Sequence, residues 1–177
     1  MVNLLNNEHK TDEYVALNPK SSIPMLVKDD GKVITEFAAI AYWLARTYPK
    51  AKLLSDNLED EVMIMQTMEY VVSTIHMQGF ARIFTTDKFT PNESDYEWVK
   101  QQGWEIIDNA FSVINLSLED RDYVVNQFSI ADAALFYVEF WADRTGLPLP
   151  GNCLRHYNTM LNRSKVKQVL QEEGYSI

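Results

Sequence analysis

NPKSSIPMLVKDDGKVITEF, running from Asn18 to Phe37, decides how the rest of the chain is read. It sets Ile23-Pro24 directly ahead of the apolar run Met25-Leu26-Val27, although proline has no N–H to give to a sheet. At the first residue of a strand or on an edge that loss matters least. A cis Ile23-Pro24 bond supplies a sharper reason, because it turns the Ile23 backbone N–H and C=O away from the sheet and toward a ligand. Trans is the commoner form of such bonds, so the remaining residues must argue for cis. Asp29-Asp30-Gly31-Lys32 reads as a hairpin turn, since Asp-Gly tolerates positive φ, and Val33-Ile34 as the returning strand.

Outward from this stretch, Asp12 to Leu17 reads as a short helix and Val2 to Leu5 as a strand. On the other side, Thr35 to Leu44 has helical spacing, with Ile40, Trp43 and Leu44 on one face. Thr35 is the expected N-cap and Glu36 an acidic complement to the helix dipole, while Tyr48-Pro49 ends the helix. These elements define an α/β domain over residues 1–50, and the boundary falls within Tyr48 to Asp56.

Past Ser55 the pattern is helical throughout. Leu58, Val62, Met65, Met68, Val72 and Ile75 recur at i, i+3, i+4 spacing, as do Val99, Ile106, Ile107, Ala110, Phe111 and Ile114 after Pro91. Phe128 to Trp141 is apolar nearly all round, which marks a buried central helix. Asp132 inside it is explained by Ser129 three residues earlier, for the two can form a capping box at a buried helix start. An all-helical domain over residues 55–177 follows. Met63, Met65, Met68, Met77, Trp98, Trp104 and Trp141 could line an apolar pocket, but their helical spacing points to core packing for most.

The 177 residues, 46% of them hydrophobic, suffice for one domain or two small ones. A net charge of −9 without a basic stripe argues against a nucleic-acid partner. The single cysteine, Cys153, excludes an internal disulfide and a multi-cysteine zinc site, fits a reducing compartment, and reads as a small buried hydrophobe. No stretch approaches membrane-spanning length and no basic lead precedes an apolar run, so the expectation is a cytoplasmic protein without membrane association. No metal is expected.

Asn18-Pro19-Lys20, Ile23-Pro24, Asp30-Gly31, Thr35-Glu36 and Ala39-Ile40-Ala41 resemble, in order and spacing, the signature of the glutathione S-transferases, and among them the bacterial beta-like class. Phe128-Ser129-Ile130-Ala131-Asp132 is similar to that family's helix capping box. The ending Asn162-Arg163-Ser164-Lys165-Val166 with Glu172-Glu173-Gly174-Tyr175 is similar to its tail, with Ser164 in place of proline.

The resemblance implies a thioredoxin-like domain with a cis-proline, then an all-helical domain, in a homodimer. It implies glutathione as the substrate, its thiol being transferred to a small hydrophobic electrophile. On that reading the Ile23 backbone beside Pro24 pairs with the cysteinyl part of glutathione as an added strand would. Glu36 meets the γ-glutamyl ammonium while the following helix start, at Phe37, offers N–H groups to its carboxylate. Phe37 stands where many members have serine. His76 resembles the beta-class histidine near the glutathione sulfur, where an imidazolium or other donor lowers the thiol pKa. The lysine that often follows that histidine is Met77 here, and Arg82 is a further candidate for positive charge.

Members of the family begin with a strand and helix whose loop carries a catalytic Cys, Ser or Tyr, and nothing here matches that segment. Two readings are therefore carried: a glutathione transferase, working without that residue or belonging to a longer natural chain, and a non-catalytic module that keeps the helical domain for binding ligands or proteins. The identity of the electrophile is not legible.

Overall fold

The computed structural model describes residues 2–175, in two compact units that divide between Ala51 and Lys52. In the first unit, α1 (Asp12–Leu17) starts under Thr11, whose hydroxyl accepts the Tyr14 N–H, with Asp12 and Glu13 in the first turn. An antiparallel hairpin follows, β1 (Met25–Val27) against β2 (Val33–Thr35), in the register Met25↔Thr35, Leu26↔Ile34, Val27↔Val33. Gly31 takes φ 79° in the connecting loop, where Asp30 accepts the Lys32 N–H. Helix α2 (Phe37–Thr47) ends at Tyr48, before Pro49.

Two expectations for this unit fail. Val2 to Leu5 is not a strand: Leu4 to Asn7 forms a turn, followed by a 3₁₀ turn at Glu8–Lys10. Among the described residues no strand pairs with it, and side chains compete for its backbone, Glu8 accepting the Asn3 N–H at 2.6 Å and Asn3 that of Asn6 at 3.2 Å. Thr35 is not the N-cap of α2. Its pairing with Met25 holds it in the sheet, and the cap position falls on Glu36 with no side-chain bond.

The second unit is helical: α3 (Leu58–Tyr70), a π-helical segment Val71–Phe80, α4 (Ala81–Phe84), α5 (Tyr96–Ser117), α6 (Ile130–Thr145), α7 (Gly151–Leu161) and α8 (Ser164–Glu172). Asn57 caps α3 by accepting the Asp60 N–H. The buried stripe of α3 and its continuation is Ile64, Met68, Val71 and Ile75, rotated from the expected one, so that Leu58 and Val62 face solvent. Val99, Ile107, Ala110, Phe111 and Ile114 of α5 are buried as their spacing predicts. Of the methionines and tryptophans expected mainly in the core, Met68 is fully buried, whereas Met63, Met77 and Trp98 are exposed. Helical spacing fixes a common face but not whether a neighbour covers it. Gly79 and Gly103 let the π segment and α5 meet closely. The architecture is a small α/β unit followed by an all-helical unit, the class predicted from the pattern.

Central helix α6 buries Ile130, Ala131, Ala134, Leu135, Val138 and Ala142, together with Asp132 and Glu139. Ser129 and Asp132 make the reciprocal capping box, the Asp132 Oδ2 accepting the Ser129 N–H at 2.7 Å and hydroxyl at 2.8 Å. Asp132 Oδ1 also accepts the Val124 N–H at 2.7 Å, which ties the preceding loop to the helix start. Arg163 fastens the same loop from α8's N-cap, its guanidinium 3.7 Å from the Phe128 ring centre and donating to the Tyr123 hydroxyl.

Candidate functional site

In the first unit the Ile23-Pro24 bond is cis. Ile23 is 48% exposed and its N–H meets no protein acceptor among the described residues. The hairpin register sets Pro24 and Glu36 side by side, each one residue outside the Met25–Thr35 pair. Glu36 takes φ 72°, ψ 127°, a costly conformation for a residue with a side chain and one that concentrates at functional sites. Its own side chain makes no capping bond to the orphan N–H groups of the first turn of α2. Phe37 opens that helix and is partly exposed. Ile23, Pro24, Glu36 and Phe37 thus share one end of the hairpin.

Sequence reasoning gave Lys20 no role beyond its motif. Its Nζ lies 2.5 Å from Glu36 Oε1 and 2.9 Å from the Thr35 hydroxyl, the Lys20 and Glu36 side chains both standing well exposed. An ammonium already occupies the carboxylate that the resemblance assigns to a ligand's ammonium, so the charge preference of the position is visible in the free protein. Its signal in the sequence was the basic residue in Asn18-Pro19-Lys20.

In the second unit His76 lies within the π-helical segment. Such segments are rare and often mark functional positions, because the inserted residue re-aims the side chains around it. The imidazole packs edge-on against Trp141, 5.1 Å between ring centres, and Tyr137 at 5.7 Å. Burial pushes its pKa below the ordinary value, which favours the neutral imidazole over the imidazolium. Phe84 packs edge-on to Trp141 at 5.0 Å and, with Tyr137 and Met77, leaves apolar surface in solvent. Burial raises the Tyr137 phenol to about 12, so it stays protonated. Arg82 is engaged locally, donating to the Gln78 carbonyl at 2.6 Å with its guanidinium over the Phe89 ring.

A buried cluster went unread in the sequence. His156 of α7 sits between two carboxylates of α6, Nδ1 2.7 Å from Glu139 Oε2 and Nε2 3.3 Å from Asp132 Oδ1, with all three side chains fully buried. Burial alone would lower the His156 pKa, but its hydrogen bonds to Asp132 and Glu139 and their charges outweigh it and push it up to about 9. Burial raises the Glu139 pKa, and its Oε1 has no hydrogen-bond partner among the described residues. The seven-residue separation of Asp132 and Glu139, two turns on one helix face, was the available signal.

A family model described as "Glutathione S-transferase, N-terminal domain" matches residues 2–47. The glutathione S-transferase GstA of Escherichia coli O157:H7 is 34% identical over 169 residues, which span 92% of this chain and 79% of that protein. The chain belongs to the glutathione S-transferase family. Among solved structures, a glutathione transferase homologue from Sulfitobacter with bound glutathione matches with a TM-score of 0.87 and 25% identity, over 98% of this chain and 85% of that one. The bacterial beta class glutathione S-transferase of Sphingomonas chungbukensis matches with a TM-score of 0.77 and 26% identity, over 92% and 79%. Glutathione S-transferase membership thus holds across both units.

Proposed function

We propose that this chain binds glutathione through its first unit and transfers the thiol to a small hydrophobic electrophile. The observation that carries this reading is the meeting at one hairpin end of Ile23, whose N–H has no acceptor among the described residues, and Glu36, which takes φ 72° beside a helix start that its side chain does not cap. An N–H can only donate, so its partner is a peptide carbonyl, that of the cysteinyl residue. Glu36 exchanges Lys20 for the γ-glutamyl ammonium, and the first amides of α2, from Phe37 on, receive the α-carboxylate. The bound glutathione of the Sulfitobacter homologue supports the same ligand.

For the chemistry we assign His76, acting as a neutral donor or base that favours the thiolate, with the exposed apolar surface of Phe84, Tyr137 and Met77 suiting a hydrophobic second substrate. Homodimerisation is supported by a groove of about 480 Å³ along α3 and α5, where Met63, Tyr70 and Val113 stand beside Gln66 and Glu69. A cytoplasmic location remains part of the proposal, and no helix among the described residues is long and apolar enough to cross a membrane.

Calorimetric titration with glutathione, followed by conjugation to an activated aryl halide, tests the reading. Binding that Glu36→Gln weakens at least tenfold, with measurable turnover, is expected. Binding without turnover leaves the non-catalytic module, and no binding removes the glutathione site altogether.

A further inference from the structure

The carbonyl oxygen of Ser22 accepts two side-chain hydrogen bonds, from the Tyr14 hydroxyl at 2.7 Å and from Asn18 Nδ2 at 2.8 Å. Both donors are buried, Tyr14 to 7% and Asn18 to 1% exposure, in a unit whose other buried apolar side chain among the described residues is Ala45. Asn18 is itself held: its Oδ1 accepts the Lys20 N–H at 3.2 Å and its backbone carbonyl the Ser21 N–H at 3.0 Å. Ser21 adopts φ 52° to complete the bend.

A carbonyl oxygen has two lone pairs, and here side chains from α1 and its C-cap fill both. Water could satisfy the same oxygen on an exposed loop, so two buried donors converging on it fix a direction as well as a bond. The Ser22–Ile23 peptide is trans and planar, with the Ser22 oxygen and the Ile23 hydrogen pointing oppositely in one plane. Fixing the oxygen aims the hydrogen, and the Ile23 N–H is the one that meets no protein acceptor among the described residues.

We infer that Tyr14 and Asn18 are positioning residues, which orient the Ile23 N–H toward the cysteinyl carbonyl of bound glutathione. The inference rests on the role given to Ile23 under Proposed function. It assigns the precision of the peptide contact to α1, an element that touches no substrate in that reading.

The test compares glutathione with an analogue whose cysteinyl–glycyl linkage is an ester, so that the carbonyl meeting Ile23 is a weaker acceptor. Both are titrated calorimetrically into the wild type, Tyr14→Phe and Asn18→Ser, with thermal unfolding of each. Tyr14→Phe keeps the ring and removes one donor, and Asn18→Ser gives an independent variant if the first folds poorly. The wild type is expected to prefer glutathione over the ester by about threefold to tenfold, the span of one hydrogen bond. Each folded variant should bind glutathione more weakly while the preference shrinks toward unity, a change that lost stability alone would not produce. Variants that keep the full preference overturn the positioning role and leave the glutathione site standing. A wild type that binds neither ligand overturns the glutathione site and this inference with it.

Discussion

Gly103 lies against Gly79 so closely that a methyl group on Gly103 would stand 2.8 Å from the Gly79 carbonyl oxygen and 3.0 Å from Arg82 Cβ. The atom in the way is backbone of the π segment that carries His76, so room can be made only by moving that segment. Gly103→Ala gains about 1 kcal/mol of helix propensity but overpacks at a cost of roughly 1–3 kcal/mol. A net loss of stability and a shifted His76 environment are expected. Gly151→Ala, where nothing lies within 4 Å, should be neutral or mildly stabilising. Thermal unfolding of the two variants checks the contrast, and an unfolding midpoint raised by Gly103→Ala would contradict the packing.

The His156 cluster makes the helical unit weaken in alkali. The folded His156 pKa of about 9 exceeds its ordinary value of 6.5, so its stabilisation is full below about pH 6.5 and disappears as pH rises through 9. Glu139, also raised, acts in the same direction at lower pH, because the folded state again holds the proton more tightly. The His156 contribution is on the order of 3 kcal/mol. Urea midpoints between pH 6 and 10 should fall for the wild type. His156→Gln should start lower by about 3–5 kcal/mol, since both buried carboxylates lose the imidazole's charge, and should lack the alkaline fall.

Cys153 should be inert in the folded protein. Its side chain is fully buried, 3.6 Å from the Phe111 carbonyl oxygen, and burial with the nearby Glu139 charge pushes its thiol up to about 12. Alkylation by iodoacetamide at pH 8 should therefore track global unfolding and be suppressed by conditions that stabilise the helical unit. Rapid labelling of native protein would contradict the packing around α7.

For the role given to His76, His76→Ala is expected to lower the conjugation rate by about 10²-fold, the lower range for a positioned proton donor or acceptor. His76→Asn retains an N–H donor and should recover part of that loss if donation to the sulfur is what matters. Because burial lowers the His76 pKa, the wild-type rate should show no rise from titration of this group above pH 7. A step near the ordinary histidine value would place the imidazole in water instead.

Much of this molecule was legible locally. Asp30-Gly31 announced the hairpin, the Asp12 helix came out at its expected bounds, and Ser129 with Asp132 declared a buried helix start. What escaped depends on partners. Val2 to Leu5 has strand-like composition but pairs with no strand among the described residues, and Thr35 has a capping side chain but is held in β2 by Met25. The π segment around His76 is a hydrogen-bond register that composition does not encode. Glu139 and His156 stand on different helices, and only packing α7 on α6 brings them to 2.7 Å. For the site, the motif residues near Pro24 were visible, whereas the two donors that orient Ser22 were not, because their target is a backbone atom.

The first unit has almost no interior of its own, Tyr14 and Ala45 being its buried apolar side chains among the described residues. On the proposed function, a part so thinly packed gains much of its stability from the tripeptide it binds. Saturating it at a hundred times Kd adds about 2.7 kcal/mol, a large share of what a small fold possesses. Tripeptide supply would then govern how long the protein survives proteolysis as well as how fast it turns over.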